Sequence, residues 1–245
     1  MRRFENQTVD RKECPRRLHP REWRDKYRYT QNETIEDMEF VKCTFIGEGL
    51  TTCGAPINRS TARNLRLKNC RVNSFFGHGA IFDEIVVDGL RTSVAPVILN
   101  GCAFRHVVLK GQLGGFLVNR NIDILQNDPV RNAAFTRANE KFYESVDWAL
   151  DISEAKAACI EIRGCIPARL IRRNPEEQFV LTREAAASGD WRGVEGCDAT
   201  GFRISVEIFL DSGAPDTVVV ANRRSKYYKA ELEFFRRLKN AGVLT

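Results

Sequence analysis

Histidine is scarce in this chain, with three in 245 residues (His19, His78 and His106), spread far apart. The eight cysteines include no Cys-x-x-Cys pair, and the spacing of Cys159 and Cys165 is not that of a zinc knuckle. A metal site is therefore not expected. There is no Walker lysine motif, and no serine or cysteine nucleophile motif with an orienting partner. No apolar run approaches the roughly 20 residues that span a bilayer. The opening Met1-Arg2-Arg3-Phe4-Glu5-Asn6 has no apolar signal core. The expectation from these absences is a cytoplasmic protein with no membrane partner, no cofactor and no recognised catalytic motif. Without a signal segment, the even cysteine count is not read as a disulfide framework.

What is present is uneven charge. The chain carries a net +6. Residues 1–29 hold ten Lys/Arg against five Asp/Glu, which puts +5 in that segment alone. Basic residues interleaved with aromatics, here Arg16, Arg17, Trp23 and Arg24, suit phosphates and stacked bases. The mixed-in acids favour instead an arm that packs its aromatics and solvates its charges.

The middle of the chain has an unusual period. Phe40-Val-Lys-Cys43-Thr-Phe45 and Leu67-Lys-Asn-Cys70-Arg-Val72 place apolar residues at 0, 3 and 5. Phe82-Asp-Glu-Ile85-Val-Val87 and Leu99-Asn-Gly-Cys102-Ala-Phe104 repeat the spacing. A later run pairs Leu150 with Ile152, Ala155 with Ala157 and Ile160 with Ile162. A helix needs apolar residues at 3, 4 and 7, and an alternating strand needs 2, 4 and 6. Two inward residues flanking one outward residue describe a short strand, and a turn then starts the next face. Cys43, Cys70 and Cys102 fall at inward positions, where cysteine acts as a small hydrophobe. The period predicts a right-handed parallel β-solenoid over 35–167, in which each turn of chain buries its core only against its neighbours. An ordinary sandwich or mixed sheet is the alternative.

Leu150-Asp151-Ile152-Ser153, and more loosely Cys43-Thr-Phe45 and Cys102-Ala-Phe104, resemble the pentapeptide-repeat family. The resemblance covers about half of residues 38–167. Segments 46–63, 73–80 and 111–145 break the period and are expected to be loops or excursions. The resemblance implies a quadrilateral β-helix and a binding role without catalysis. Relatives that mimic DNA are strongly acidic; this chain is basic, which argues against such mimicry.

Around the repeats, 1–34 reads as a basic N-terminal arm. A helix near 128–145 is expected, with Asp128 as N-cap, Pro129 at its first position and Ala134, Phe135, Ala138 and Phe142 on one face. Residues 168–245 read as a small α/β module that caps the repeats. Its strands are expected at 168–172, 178–182 and 216–221. Its helices are expected near 182–188, from Phe202 to Gly213, and from Ser225 to Gly242. His78, between two glycines, is read as a turn residue and His106 as a surface residue. Candidate binding residues are Arg16, Arg17, Trp23 and Arg24 in the arm, Arg169, Arg172 and Arg173 at the junction, and Arg223 and Arg224 before the last helix. The leading functional expectation is a non-enzymatic protein that offers a solenoid face to a protein partner, as an inhibitor, immunity factor or scaffold. Alternatives are nucleic-acid association through residues 1–29 and an enzyme of unrecognised type.

Overall fold

The computed structural model describes residues 1–10, 32–46, 49–50, 54–93, 95–122, 128–197 and 201–245. In the first half, strands run β1 Arg2–Glu5, β2 Thr8–Asp10, β3 Thr34–Val41, β4 Thr44–Ile46, β5 Thr61–Val72, β6 Phe75–His78 and β7 Ile81–Thr92. They continue as β8 Val97–Asn100, β9 Ala103–Arg105 and β10 Val107–Asn119, then helix α1 Pro129–Tyr143, β11 Leu150–Asp151, β12 Ala155–Arg163 and β13 Ile171–Arg172. The rest comprises β14 Gln178–Thr182, α2 Arg183–Ser188, α3 Phe202–Asp211, β15 Asp216–Val220 and α4 Tyr228–Asn240. The protein is mainly β. Strands β1 to β13 form one thirteen-stranded sheet, and β14 and β15 a separate antiparallel pair.

Every pairing in the large sheet is parallel, and its registers carry the period. Thr61 lies beside Ile81, Ile81 beside Ala103, Phe75 beside Val97 and Leu150 beside Ile171, so at these pairings the chain returns to its own flank after 20 to 22 residues, while Thr34 to Thr61 takes 27 and Gly111 to Ala155 takes 44. Inward positions stack into apolar columns: Phe4, Phe40, Leu67, Val87 and Leu109 stand in successive register. The rings of Phe4 and Phe40 stack at 5.1 Å, and those of Phe82 and Phe104 at 5.7 Å.

Two further columns mark where the backbone bends. Asp37, Asn64, Glu84 and His106 have φ of 58°, 49°, 55° and 53°. Five residues on from each, Lys42, Asn69, Gly89 and Gly111 have φ of 54°, 52°, 78° and 71°. A left-handed residue every five positions turns the chain out of one short strand and into the next. Asparagine and glycine take this conformation readily; Lys42, Glu84 and His106 adopt it at a cost of about 1–2 kcal/mol each. Gly89 is also tight, since a Cβ there would come within 2.9 Å of Asn69 Oδ1.

The expected inward positions of Cys43, Cys70 and Cys102 hold, and Cys165 is buried with them in the core of the sheet. Their thiols donate to the carbonyls of Phe4, Phe40, Asn100 and Val118 at 3.4–3.5 Å. Burial pushes the thiols of Cys102 and Cys165 up to about 12. As reactive nucleophiles at neutral pH they are disfavoured.

Two expected excursions are strands. Residues 75–78 form β6, which pairs with β8, and 111–119 complete β10. The period breaks there because glycines replace inward side chains. At Gly77 a Cβ would lie 2.8 Å from the Leu99 side chain, and at Gly114 it would lie 2.2 Å from Thr92 Oγ1. His78 is therefore no turn residue. It heads a polar column in register, His78, Asn100, Asn119 and Arg163. Its Nε2 is 3.0 Å from Asn100 Nδ2, Asn119 Nδ2 donates to Asn100 Oδ1 at 2.7 Å, and Arg163 Nη1 donates to Asn119 Oδ1 at 3.1 Å.

Helix α1 begins as expected: the Asp128 carboxylate accepts from Val130 N and Arg131 N at 3.0 Å, with Pro129 at the first position. Its buried face is displaced by one residue along part of its length, to Asn132, Phe135, Asn139 and Tyr143. Asn139 Nδ2 reaches the Gly101 carbonyl at 3.2 Å, and the Tyr143 hydroxyl accepts from Phe104 N at 3.3 Å. The helix thus docks on exposed backbone polar groups as well as on apolar surface. Gly79 admits Phe135 beside it, where a Cβ would lie 2.3 Å from the ring.

Residues 168–245 carry a second core around Trp191, Phe202, Phe209, Phe234 and Leu238. Ala168–Leu170 is a single 3-10 turn rather than strand, and only Ile171–Arg172 pairs. Helix α2 is capped by the Thr182 hydroxyl and ends at left-handed Gly189. This module is bonded to β12 along its length. Asn222 Oδ1 accepts from Ile160 N at 2.7 Å, Arg224 N donates to the Ala157 carbonyl at 2.9 Å, and the Thr217 hydroxyl donates to the Ile162 carbonyl. These bonds occupy backbone groups that an open sheet edge would expose. Among the described residues, no helix is long and apolar enough to cross a membrane.

Candidate interaction face

Seven strands, β1-β3-β5-β7-β10-β11-β13, stand side by side and make the broadest face of the sheet. Their inward residues enter the core, so the residues between them point out. One outward column is Arg3, Glu39, Arg66, Val86, Val108, Asp151 and Arg172. A second is Lys68, Asp88 and Lys110. Beyond the bend a third runs Glu36, Arg63, Asp83 and Arg105. The sign alternates along each charged run. Ion pairs join Glu36 to Arg63 and Asp83 to Arg105, with Arg105 Nε donating to Asp83 Oδ1 at 2.7 Å. The two half-buried valines sit at the middle of the first column, between charged flanks. An apolar centre with a charged rim is the layout of a protein-binding patch.

At one end of this face lies an aromatic and charged cluster. Trp148, just before β11, is met by the His106 ring at 4.7 Å between centroids and by the Arg172 guanidinium 4.1 Å from its ring centre. His106 Nε2 is 2.6 Å from Asp147 Oδ1. The hydrogen bond from His106 holds the Asp147 carboxyl below its ordinary range. A tryptophan held between flat side chains is fixed in place, as an interaction anchor requires.

The expected binding residues are distributed differently. Arg172 belongs to this cluster. Arg169 lines a separate cleft of about 190 Å³, together with Arg120, Glu140, Tyr143 and Asp216. In that cleft Arg120 already donates to the Gly164 carbonyl at 3.1 Å and to Glu140 Oε1 at 2.7 Å. Arg173 follows β13 and is partly buried, with its Nε enclosed. Arg163 turns to Glu161, 2.6 Å away, so it does not extend a junction patch. Arg223 and Arg224 have structural bonds. Arg223 Nε donates to Glu177 Oε2 at 2.6 Å, and the Tyr228 hydroxyl donates to Glu177 Oε1 at 2.6 Å. Arg224 Nη1 donates to the Leu113 carbonyl at 2.8 Å. Helix α4 starts only at Tyr228, so β15 does not run straight into a helix N-terminus. Arg16, Arg17, Trp23 and Arg24 lie outside the described residues.

Sequence reasoning missed Trp148 and Asp147. The signal was a Trp directly ahead of the Leu150-Asp151-Ile152 repeat, one step outside its apolar pattern. Among the described residues, no group of His, Cys, Asp and Glu is arranged to hold a metal ion. Comparison with family models, curated proteins and solved structures found no match to this chain.

Proposed function

We propose that this chain is a non-enzymatic interaction protein, a right-handed β-solenoid of pentapeptide-repeat type whose seven-strand face receives a protein partner. The solenoid reading is supported by registers that recur after 20 to 22 residues and by left-handed residues five apart. Four five-residue units account for such a return. The observation that carries the function is the Trp148 cluster at the end of an outward column with valines at its centre. Trp and Arg are the residue types that most often dominate binding energy. The buried, pKa-raised thiols and the structurally engaged His78 support binding over catalysis. The partner is read as one that this protein inhibits, neutralises or assembles.

The test is affinity capture with the tagged chain in nuclease-treated lysate, followed by titration of any recovered protein against variants. Trp148→Ala and Arg172→Ala are expected to weaken that partner about tenfold or more. Lys239→Ala, an exposed lysine on α4, is expected to leave it unchanged. A partner indifferent to both face variants, or capture that disappears with nuclease, sinks this reading.

A further inference from the structure

Charge alternation in the large sheet has a single exception. Wherever two charged residues stand in register among the described strands, their signs are opposite, from Arg3 and Glu39 to Asp151 and Arg172. Arg71 on β5 and Arg91 on β7 break the rule: they stand directly side by side. Both are exposed. Adjacent strands are about 4.8 Å apart, so two guanidinium groups leave the sheet as neighbours. Like charges placed opposite each other oppose pairing. Among the described residues, neither arginine has an ion pair or a side-chain hydrogen bond to relieve this. Thr44, next in register beyond Arg71, adds a hydroxyl.

We propose that Arg71 and Arg91 form a carboxylate-binding subsite, occupied by an acidic side chain of the protein partner. An oxyanion between two guanidinium groups removes their repulsion and accepts paired, charge-assisted hydrogen bonds from both. The surroundings select the class of ligand. Across the bend at Asn69 and Gly89, Asp88 stands between Lys68 and Lys110. An extended phosphate backbone crossing that bend would meet this acid, whereas one or two carboxylates on a folded or peptide partner meet only the arginine pair. This inference rests on the protein-partner reading above and names the chemistry that such a partner must present.

The experiment is fluorescence anisotropy of a labelled oligoglutamate peptide titrated with the full chain at low salt, beside thermal denaturation of each variant. Wild type is expected to bind the peptide. Arg71→Gln and Arg91→Gln are each expected to weaken it about tenfold, a loss of about 1.4 kcal/mol. Lys156→Gln, an exposed cation on β12, is expected to match wild type. Both arginine variants are expected to melt at or above the wild-type temperature, because each removes a like-charge contact. No peptide binding, equal weakening by Lys156→Gln, tighter binding of a DNA oligonucleotide than of the peptide, or a lowered melting temperature overturns the proposal. Such a failure leaves the Trp148 and Arg172 test of the partner reading intact, since that test uses different residues and the captured partner itself.

Discussion

Glu84 is an ordinary exposed glutamate in the sequence, yet it holds φ of 55° in a column with Asp37, Asn64 and His106. A β-branched residue is strongly disfavoured there. Glu84→Val is expected to destabilise the protein by about 1–2 kcal/mol in urea denaturation, and Glu84→Gly to stay within about 0.5 kcal/mol of wild type. Equal stability of the two variants would remove the left-handed bend from the account. Cysteine gives a second residue-scale prediction. Cys43, Cys70, Cys102 and Cys165 are buried, and Cys102 and Cys165 titrate only near 12. Native alkylation at mildly alkaline pH, read by peptide mass spectrometry, should leave these four unmodified, and unfolding should expose them. The inward cysteines were legible, because a small apolar residue repeating at the same offset has one economical explanation. The left-handed glutamate, lysine and histidine were not, because nothing in their side chains signals φ; the neighbouring strands impose it.

At the scale of the element, what the strands share is alternation of charge across the sheet. Asp83 is 3% exposed and takes both bonds of the Arg105 fork. Asp83→Ala is expected to cost about 1.5–3 kcal/mol, the range for hydrogen bonds to charged groups. Arg105→Leu added to it should recover part of that loss, which a double-mutant cycle in urea measures. An additive pair would show that the contact contributes nothing. Strands β6 and the second half of β10 were hidden in the sequence. Their inward positions at Gly77 and Gly114 are glycines, so the apolar period falters where the backbone approaches a neighbour most closely. Helix α1 was legible at its start, from Asp128 and Pro129, but not in its face. Asn139 looks solvent-directed until the backbone carbonyl at Gly101 supplies a buried partner.

For the whole molecule, the C-terminal module acts as a cover over β12. Deleting residues 174–245 would leave the peptide groups bonded by Thr217, Asn222 and Arg224 without partners, along with the apolar face of the sheet. The truncated chain is expected to aggregate or self-associate in size-exclusion chromatography with light scattering; a stable monomer would show that the sheet needs no cover. Glu177 ties the turn before β14 to Arg223 and Tyr228. Burial opposes its ionisation, but the hydrogen bonds from Arg223 and Tyr228 outweigh that and lower its pKa from the ordinary 4.5. A pKa lower in the folded state contributes stability that is fully present above the unfolded value and lost as pH falls through the folded one. Glu231, raised by burial, works in the opposite sense. The informative comparison is therefore Glu177→Gln against wild type. The variant should melt lower at neutral pH, and the gap should close below about pH 4. A gap that persists in acid would assign the effect to packing.

The sequence alone determined that the chain is mainly β, that Cys43, Cys70 and Cys102 face inward, and where α1 to α4 begin or end. These are local properties: a side-chain pattern, an N-cap and a glycine act within a few residues. Only the tertiary structure decided which charges meet. Arg63 and Glu36 are 27 positions apart, Arg71 and Arg91 are 20 apart, and Arg224 reaches the carbonyl of Leu113 across 111. Whether an arginine becomes a bridge, an anchor or an unrelieved neighbour depends on the register of the strand beside it. That register is set by the lengths of chain between bends, which no local pattern records.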